Sequence, residues 1–304
     1  MLDRMSKKVC LLYGGNSTER PVSLASHEKL YNVIKSLGYD VVDVDPSVGI
    51  SNLIAKINIE KPDCVFNGLY GGSGENGEIQ GLLNMLKIPY THSGVTASQV
   101  AMDKWLSYIV FEKHSIPTPK TQIIKFDQMK TSCDFDYPYV IKPICGGSSI
   151  GVFIIRKQED LDEIVWEYSD MAMVQEYIPG RELTVGVLNG KALTVTEIAP
   201  KTNFYDFETK YSDGMADHIL PADIGSDIAD QLKHYAEKAY GCLGCRTLAR
   251  VDFRYDESTG RVYILEVNTQ PGMTAQSLFP EQAEFCGIKF EQLVDLMIQQ
   301  SCCD

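Results

Sequence analysis

No stretch of this 304-residue sequence is long and apolar enough to cross a bilayer, and residues 1–8 lack the apolar segment of a secretory signal. A cytoplasmic protein without a membrane partner is therefore expected. Basic charge is scarce as well: 28 Lys and Arg stand against 41 Asp and Glu, a formal net charge of −13, and no basic stripe offsets it. That balance argues against nucleic acid as a partner, although a few Lys and Arg converging locally would still suit a small anion. The five histidines show no HExxH or similar spacing. The nine cysteines are scattered and odd in number, which points to reduced thiols rather than a disulfide framework. Cys242 and Cys245 have metal-like spacing, but no second Cys or His pair accompanies them, so a buried helix-to-strand turn is the better reading. Cys302 and Cys303 are expected in a frayed tail. There is no Walker A loop, internal repeat or low-complexity tract.

What is present is an alternation of strands and helices with 44% hydrophobic residues, enough for two or three subdomains with a substantial core. Residues 1–92 read as an α/β unit with a parallel sheet. Strands are expected at 9–13, 39–44, 64–67 and near 88–90, with a helix from Ser17 or Thr18 to just before Gly38. Ligands of such sheets bind at the carboxyl ends of the strands, where two loops leave: 14–20, carrying Glu19, and 70–77, carrying Glu75. The second loop contains G-x-G-x-x-G at Gly72, Gly74 and Gly77. A nicotinamide-binding reading fails on position, because the fingerprint normally follows the first strand and has an acid about twenty residues on.

A second unit, 93–178, begins with two helices around Asp103 and Lys104, stopped by Pro117 and Pro119. Strands follow at 121–125, 139–143, 152–155 and 171–176, with a helix at 159–168. The loop 144–151 is rich in Gly and Ser and has Lys142 just upstream. It is either an anion-binding loop offering backbone N–H groups and hydroxyls, or an ordinary hairpin turn. A third unit, 179–304, carries strands at 182–188 and 192–199, a helix at 225–239 and a terminal helix after Lys289. Its irregular segment 200–221 has the length of a lid and contains Lys201, Phe204, Tyr205, Lys210 and Tyr211.

Two runs of the third unit, 248–255 and 261–269, form a hairpin about the turn-rich stretch 256–260. Folding them back brings Asp252 roughly opposite Glu266, and Asn268 shares the face of Glu266 while Arg250 shares that of Asp252. Hard oxygen donors of this kind suit magnesium on a phosphate, and Val251, Phe253, Leu265 and Val267 on the other face would lie on a core. A solvated polar face is the competing reading of the hairpin taken alone.

Eight stretches in order resemble the D-alanine:D-alanine ligases of the ATP-grasp superfamily. They lie at 12–23, 74–81, 101–104, 140–143, 147–151, 175–182, 204–211 and 266–274, and span essentially the whole chain. The resemblance implies an N-terminal parallel-sheet domain followed by a two-part ATP-grasp fold with the nucleotide between its parts, α/β in class with an α+β ATP-grasp portion. It implies ligation of two D-alanines through an acyl phosphate for peptidoglycan precursors, with ATP and two Mg²⁺ ions, Mn²⁺ being a substitute, in a homodimer.

By the same resemblance Asp252, Glu266 and Asn268 hold the metal, and Lys104, Lys142 and Lys210 contact phosphates beside Ser149. Gln175, Glu176, Tyr177 and Ile178 meet the adenine edge, Glu182 the ribose, and Phe204 and Leu265 the ring faces. Glu19 binds the first D-alanine's ammonium and links through Ser148 to Tyr211, with Glu75 also at the substrate site. Arg250 and Gly272 stabilise the oxyanion, while Ser277 and Leu278 position the second D-alanine. Ser277 also reads as a helix cap. Tyr211 favours an amine as second substrate, since related depsipeptide-forming ligases lack it there; D-lactate or D-serine is the alternative acceptor. The family usually has His where this chain has Tyr70, and often a charged pair where it has Cys145-Gly146. A nucleotide-binding protein without ligase activity is disfavoured by the intact Lys142, Asp252, Glu266, Asn268 and Arg250.

Overall fold

The computed structural model describes residues 7–129, 133–200 and 216–304. Strand β1 (Lys8–Leu12) is apolar and buried from Val9 onward, with both of its faces covered. Val9 and Leu11 enter one core cluster and Cys10 and Leu12 another. It pairs in parallel with β2 (Asp40–Val44) and β3 (Cys64–Asn67) in the order β2-β1-β3. Helices α1 (Arg20–Ser36), α2 (Ile50–Glu60) and α3 (Glu78–Leu86) accompany this sheet. Near Tyr90 there is only a single parallel bridge to Val65 in place of the strand expected at 88–90.

Helices α4 (Val95–Met102) and α5 (Lys104–Lys113) come next, divided by Asp103, whose side chain accepts from the amides of Trp105 and Leu106 and starts the second helix. An antiparallel sheet follows in the order β4-β7-β5-β6, built from β4 (Thr121–Lys125), β5 (Tyr139–Pro143), β6 (Phe153–Ile155) and β7 (Met171–Glu176). The helix expected at 159–168 ends at Asp162. Beyond it Trp166 stacks on Phe126 with ring centroids 4.8 Å apart and meets Tyr168 edge-on, so aromatic packing takes those residues out of a helical path.

A second antiparallel sheet runs in the order β10-β9-β8-β11-β12, from β8 (Arg181–Leu188), β9 (Lys191–Pro200), β10 (Ala216–Ile219), β11 (Leu248–Asp256) and β12 (Arg261–Asn268). One face of it is covered by the helix Ser226–Leu243 together with Ala97, Ala101 and Phe111 of α4 and α5. The helix Leu278–Phe285 and the last helix, Phe290–Gln299, share a core with the parallel sheet: Met273, Phe279, Leu293 and Met297 pack with Val9, Leu11 and Leu30.

The expected frayed tail is pinned instead. Cys302 bridges to Tyr90, and the Arg246 guanidinium bonds the carbonyls of Cys302 and Cys303 and the Asp304 carboxylate. Cys242 and Cys245 flank the end of the Ser226–Leu243 helix, where Gly244 takes the left-handed conformation, and all nine cysteines are free.

Candidate active site

Between the two antiparallel sheets lies an open cleft. Lys104, Lys142, Ser149, Gln175, Glu176, Tyr177, Ile178, Glu182 and Leu265 all line it, as do Asp252 and Glu266. Two sheets and the start of α5 thus bring residues of five of the resembling stretches to one place. Phe204, Lys210 and Tyr211, with Lys201, Tyr205 and most of the expected lid, lie outside the described residues. Strand alternation also turns Val140 of β5 and Ile154 of β6, a directly paired couple, into the cleft as apolar wall. Neither was expected at the site from the sequence, although their period-two spacing with Lys142 and Val152 carries the signal.

Lys142 is buried and donates to Gln175 Oε1 at 2.8 Å, while Gln175 donates in turn to Thr121. Burial pushes its ammonium down to about 8, the neighbouring Lys104 adding to the effect and Glu266 opposing it. Lys104 sits at the first turn of α5, bonded through its ammonium to the carbonyl of Gly146 and 3.6 Å from Glu266. Its backbone amide donates to Ile144, so the start of α5 anchors the Gly-Ser loop. Within that loop Ser148 and Ser149 both hold left-handed backbone, with φ of 55° and 57°. Consecutive non-glycine residues in that region store strain of the kind found at ligand clamps.

The hairpin forms with Asp252 opposite Glu266 and Arg250 opposite Asn268. A bulge after Asp252 pairs Phe253 with Ile264, so Ile264 takes the core position expected for Leu265, and Leu265 turns into the cleft. Asp252 is held by Arg250 through two bonds of 2.9 and 2.7 Å and by the Thr184 hydroxyl at 2.6 Å. Asn268 Oδ1 accepts from the Gln270 amide at 2.8 Å. Among the described residues no group of three His, Cys, Asp or Glu gathers as a metal site. Two carboxylates and an amide oxygen on one hairpin face are nevertheless hard donors that fit a divalent cation completed by phosphate oxygens. Arg254, on the same alternation as Arg250 and Asp252 but not singled out in the sequence, lines the cleft, bonds the carbonyls of Ile178 and Gly180, and lies 3.7 Å from Glu182.

Glu19 precedes α1 and is buried, and the Ser148 hydroxyl donates to it at 2.5 Å, joining the first loop to the Gly-Ser loop. Glu75 is half-buried. Loss of hydration raises its carboxyl well above the usual range, and the negative charge of Glu19 adds to this while Arg250 counters it. Gly272 packs so closely on Ser277 that a Cβ would stand 2.8 Å from its hydroxyl. Ser277 occupies the cap position of the Leu278–Phe285 helix, yet its hydroxyl bonds the amide and hydroxyl of Thr274 rather than the helix. The Leu278 side chain is buried against Ile198. Tyr70 is buried too, and its hydroxyl accepts from the Met273 amide at 3.1 Å.

The family model described as "D-ala D-ala ligase C-terminus" matches residues 103–299. The chain is 44% identical over 299 residues to the D-alanine–D-alanine ligase of Gluconobacter oxydans, covering 97% of this chain and 99% of that one. It is 43% identical over 302 residues to the enzyme of that name from Wolbachia pipientis, covering 98% and 95%. Among solved structures, the D-alanine–D-alanine ligase of Bacillus anthracis superposes with a TM-score of 0.84 at 30% identity, covering 97% of each chain. The VanG D-Ala:D-Ser ligase of Enterococcus faecalis superposes at 0.81 and 27%, covering 96% and 98%. With this agreement along nearly its whole length, the chain belongs to the D-alanine–D-alanine ligase family.

Proposed function

We propose that the protein joins two D-alanine molecules into D-alanyl-D-alanine with conversion of ATP to ADP and phosphate, as a step in making peptidoglycan precursors. The observation that carries this reading is the near full-length similarity to ligases of that name. A cleft in which a buried lysine faces two acids agrees with it. A carboxylate oxygen of the first D-alanine attacks the γ-phosphorus, and ADP leaves. The amine of the second then attacks the acyl carbon, and phosphate leaves as the amide bond forms.

Lys104 and Lys142, with Lys210, contact the phosphates, and the Ser149 loop offers its backbone amides. Gln175, Glu176, Tyr177 and Ile178 meet the adenine edge, Glu182 the ribose, and Leu265 and Phe204 the ring faces. Asp252, Glu266 and Asn268 would hold the divalent metal, two Mg²⁺ ions with Mn²⁺ as a substitute; when bound, the metal neutralises charge on the transferring phosphoryl group. Glu19 takes the first ammonium and joins Ser148 and Tyr211, with Glu75 beside it. Arg250 and the Gly272 amide stabilise the oxyanion of the second step, where one donor is worth about 3 kcal/mol. Ser277 and Leu278 place the second D-alanine.

Phosphate release with ATP, Mg²⁺ and D-alanine tests the reading, with parallel reactions containing L-alanine or D-alanine plus D-lactate. Release is expected with D-alanine alone; its absence would overturn the proposal, and release dependent on D-lactate would move it to a depsipeptide ligase. We also propose a homodimer, for which light scattering should give twice the 33.9 kDa of one chain.

A further inference from the structure

Three buried side chains left unused by the chemistry above lie on the seam between the loop after β3 and the segment 269–277. Asn67, Tyr70 and Gln270 are 1%, 3% and 1% exposed. The Asn67 amide donates to Gln270 Oε1 at 2.9 Å and to the Gly74 carbonyl at 2.8 Å. Gln270 donates back to the carbonyls of Asn67 and Leu69. The Tyr70 hydroxyl accepts from the amide of Met273, which is wholly buried. These contacts cross about 200 residues of sequence and grip the chain on both sides of Gly272: Gln270 two residues before it, and Met273 one residue after.

We propose that Asn67, Tyr70 and Gln270 form a clasp that positions the Gly272 amide and, through Thr274 and Ser277, the subsite for the second amino acid. The inference rests on the ligase reading and deepens it. Buried polar groups whose partners all lie within the protein define a single arrangement, because slipping any of them strands a donor or acceptor without water. A positioning device at the oxyanion end has large leverage, since small misplacements of reacting groups slow a reaction steeply. A phenol also reaches farther from the backbone than an imidazole, which fits Tyr70 to the task of meeting the Met273 amide.

The test is steady-state kinetics of Tyr70→Phe, which removes the hydroxyl that meets the Met273 amide and Ser26 while keeping the ring, alongside a thermal melt. The half-saturation for the second D-alanine should rise about tenfold, the factor that one hydrogen bond carries, while that for ATP stays unchanged. Tyr70→His, whose shorter ring falls short of the Met273 amide, should raise the same half-saturation, and it reads the same contact if the Phe variant does not fold. An unchanged half-saturation in a folded variant would overturn the clasp, as would a common shift for ATP and both alanines accompanied by a lower melting temperature. Wild-type activity with D-alanine isolates that failure from a failure of the ligase reading.

Discussion

At the scale of single residues, Lys142 makes the sharpest prediction. Burial pushes its ammonium down to about 8 by disfavouring the charged form, whereas a phosphate would favour it. Nucleotide affinity should therefore fall as pH rises through about 8, and titration calorimetry across pH 7 to 9.5 should show it; Lys142→Arg, which keeps its charge throughout, should flatten the dependence. For folding the sign is opposite. The unfolded lysine keeps its proton up to about 10.5, so this group's contribution to stability grows between about 8 and 10.5. Glu266, paired with Asp252 across the hairpin and 3.6 Å from Lys104, makes a second prediction. Glu266→Gln should lower kcat by more than about 100-fold, beyond the usual effect of an outer-shell metal partner, with the melting temperature intact. Near-normal turnover would refute the metal assignment. Lys142, Glu266 and Glu19 were legible because each sits in a short local motif. Tyr70 was not, since its partner Met273 lies 203 residues away and nothing near Tyr70 announces it.

Elements were legible where a strict period and punctuation coincided. The hairpin register of Asp252 on Glu266 follows from alternation and a turn-rich loop, and the structure has it. Residues 159–168 misled because a helical pattern of charges and apolar residues competes there with a Trp166 and Phe126 stack formed across the unit. The link from β7 to β8 shows what local reading understates. Gly180 has φ of 97°, and a Cβ there would stand 2.2 Å from the Tyr255 carbonyl oxygen. Gly180→Ala should cost about 2 kcal/mol, combining left-handed strain with a backbone clash, and a urea melt would register it as a lower midpoint. A fully stable variant would mean that the two sheets are not tied so closely at this hinge.

For the whole molecule, the chain closes on itself through its end. The Asp304 carboxylate accepts from the Val95 amide at 2.8 Å at the start of α4 and pairs with Arg246, which also gathers the last carbonyls. The role is that of a helix cap supplied from 209 residues away. Asp304→Ala should cost about 1 kcal/mol, as loss of a cap does, and leave kcat untouched; an unaltered denaturation midpoint would count against it. A tail pinned in this way is not legible in the sequence, because the partners are distant and no periodicity marks them.

The one-residue bulge at Leu265 also fixes the arithmetic of chain length. Val262 and Ile264 face the core on even numbers, while Val267 does so on an odd one, and the change of phase is what turns Glu266 and Asn268 toward the cleft. Removing Leu265 alone would restore plain alternation with Ile264 and Val267 on the core and Glu266 and Asn268 still toward the cleft. Substitutions at 265 need only keep an apolar wall, and a one-residue shortening there costs the cleft that wall while leaving the inside and outside of the rest of the strand as they are.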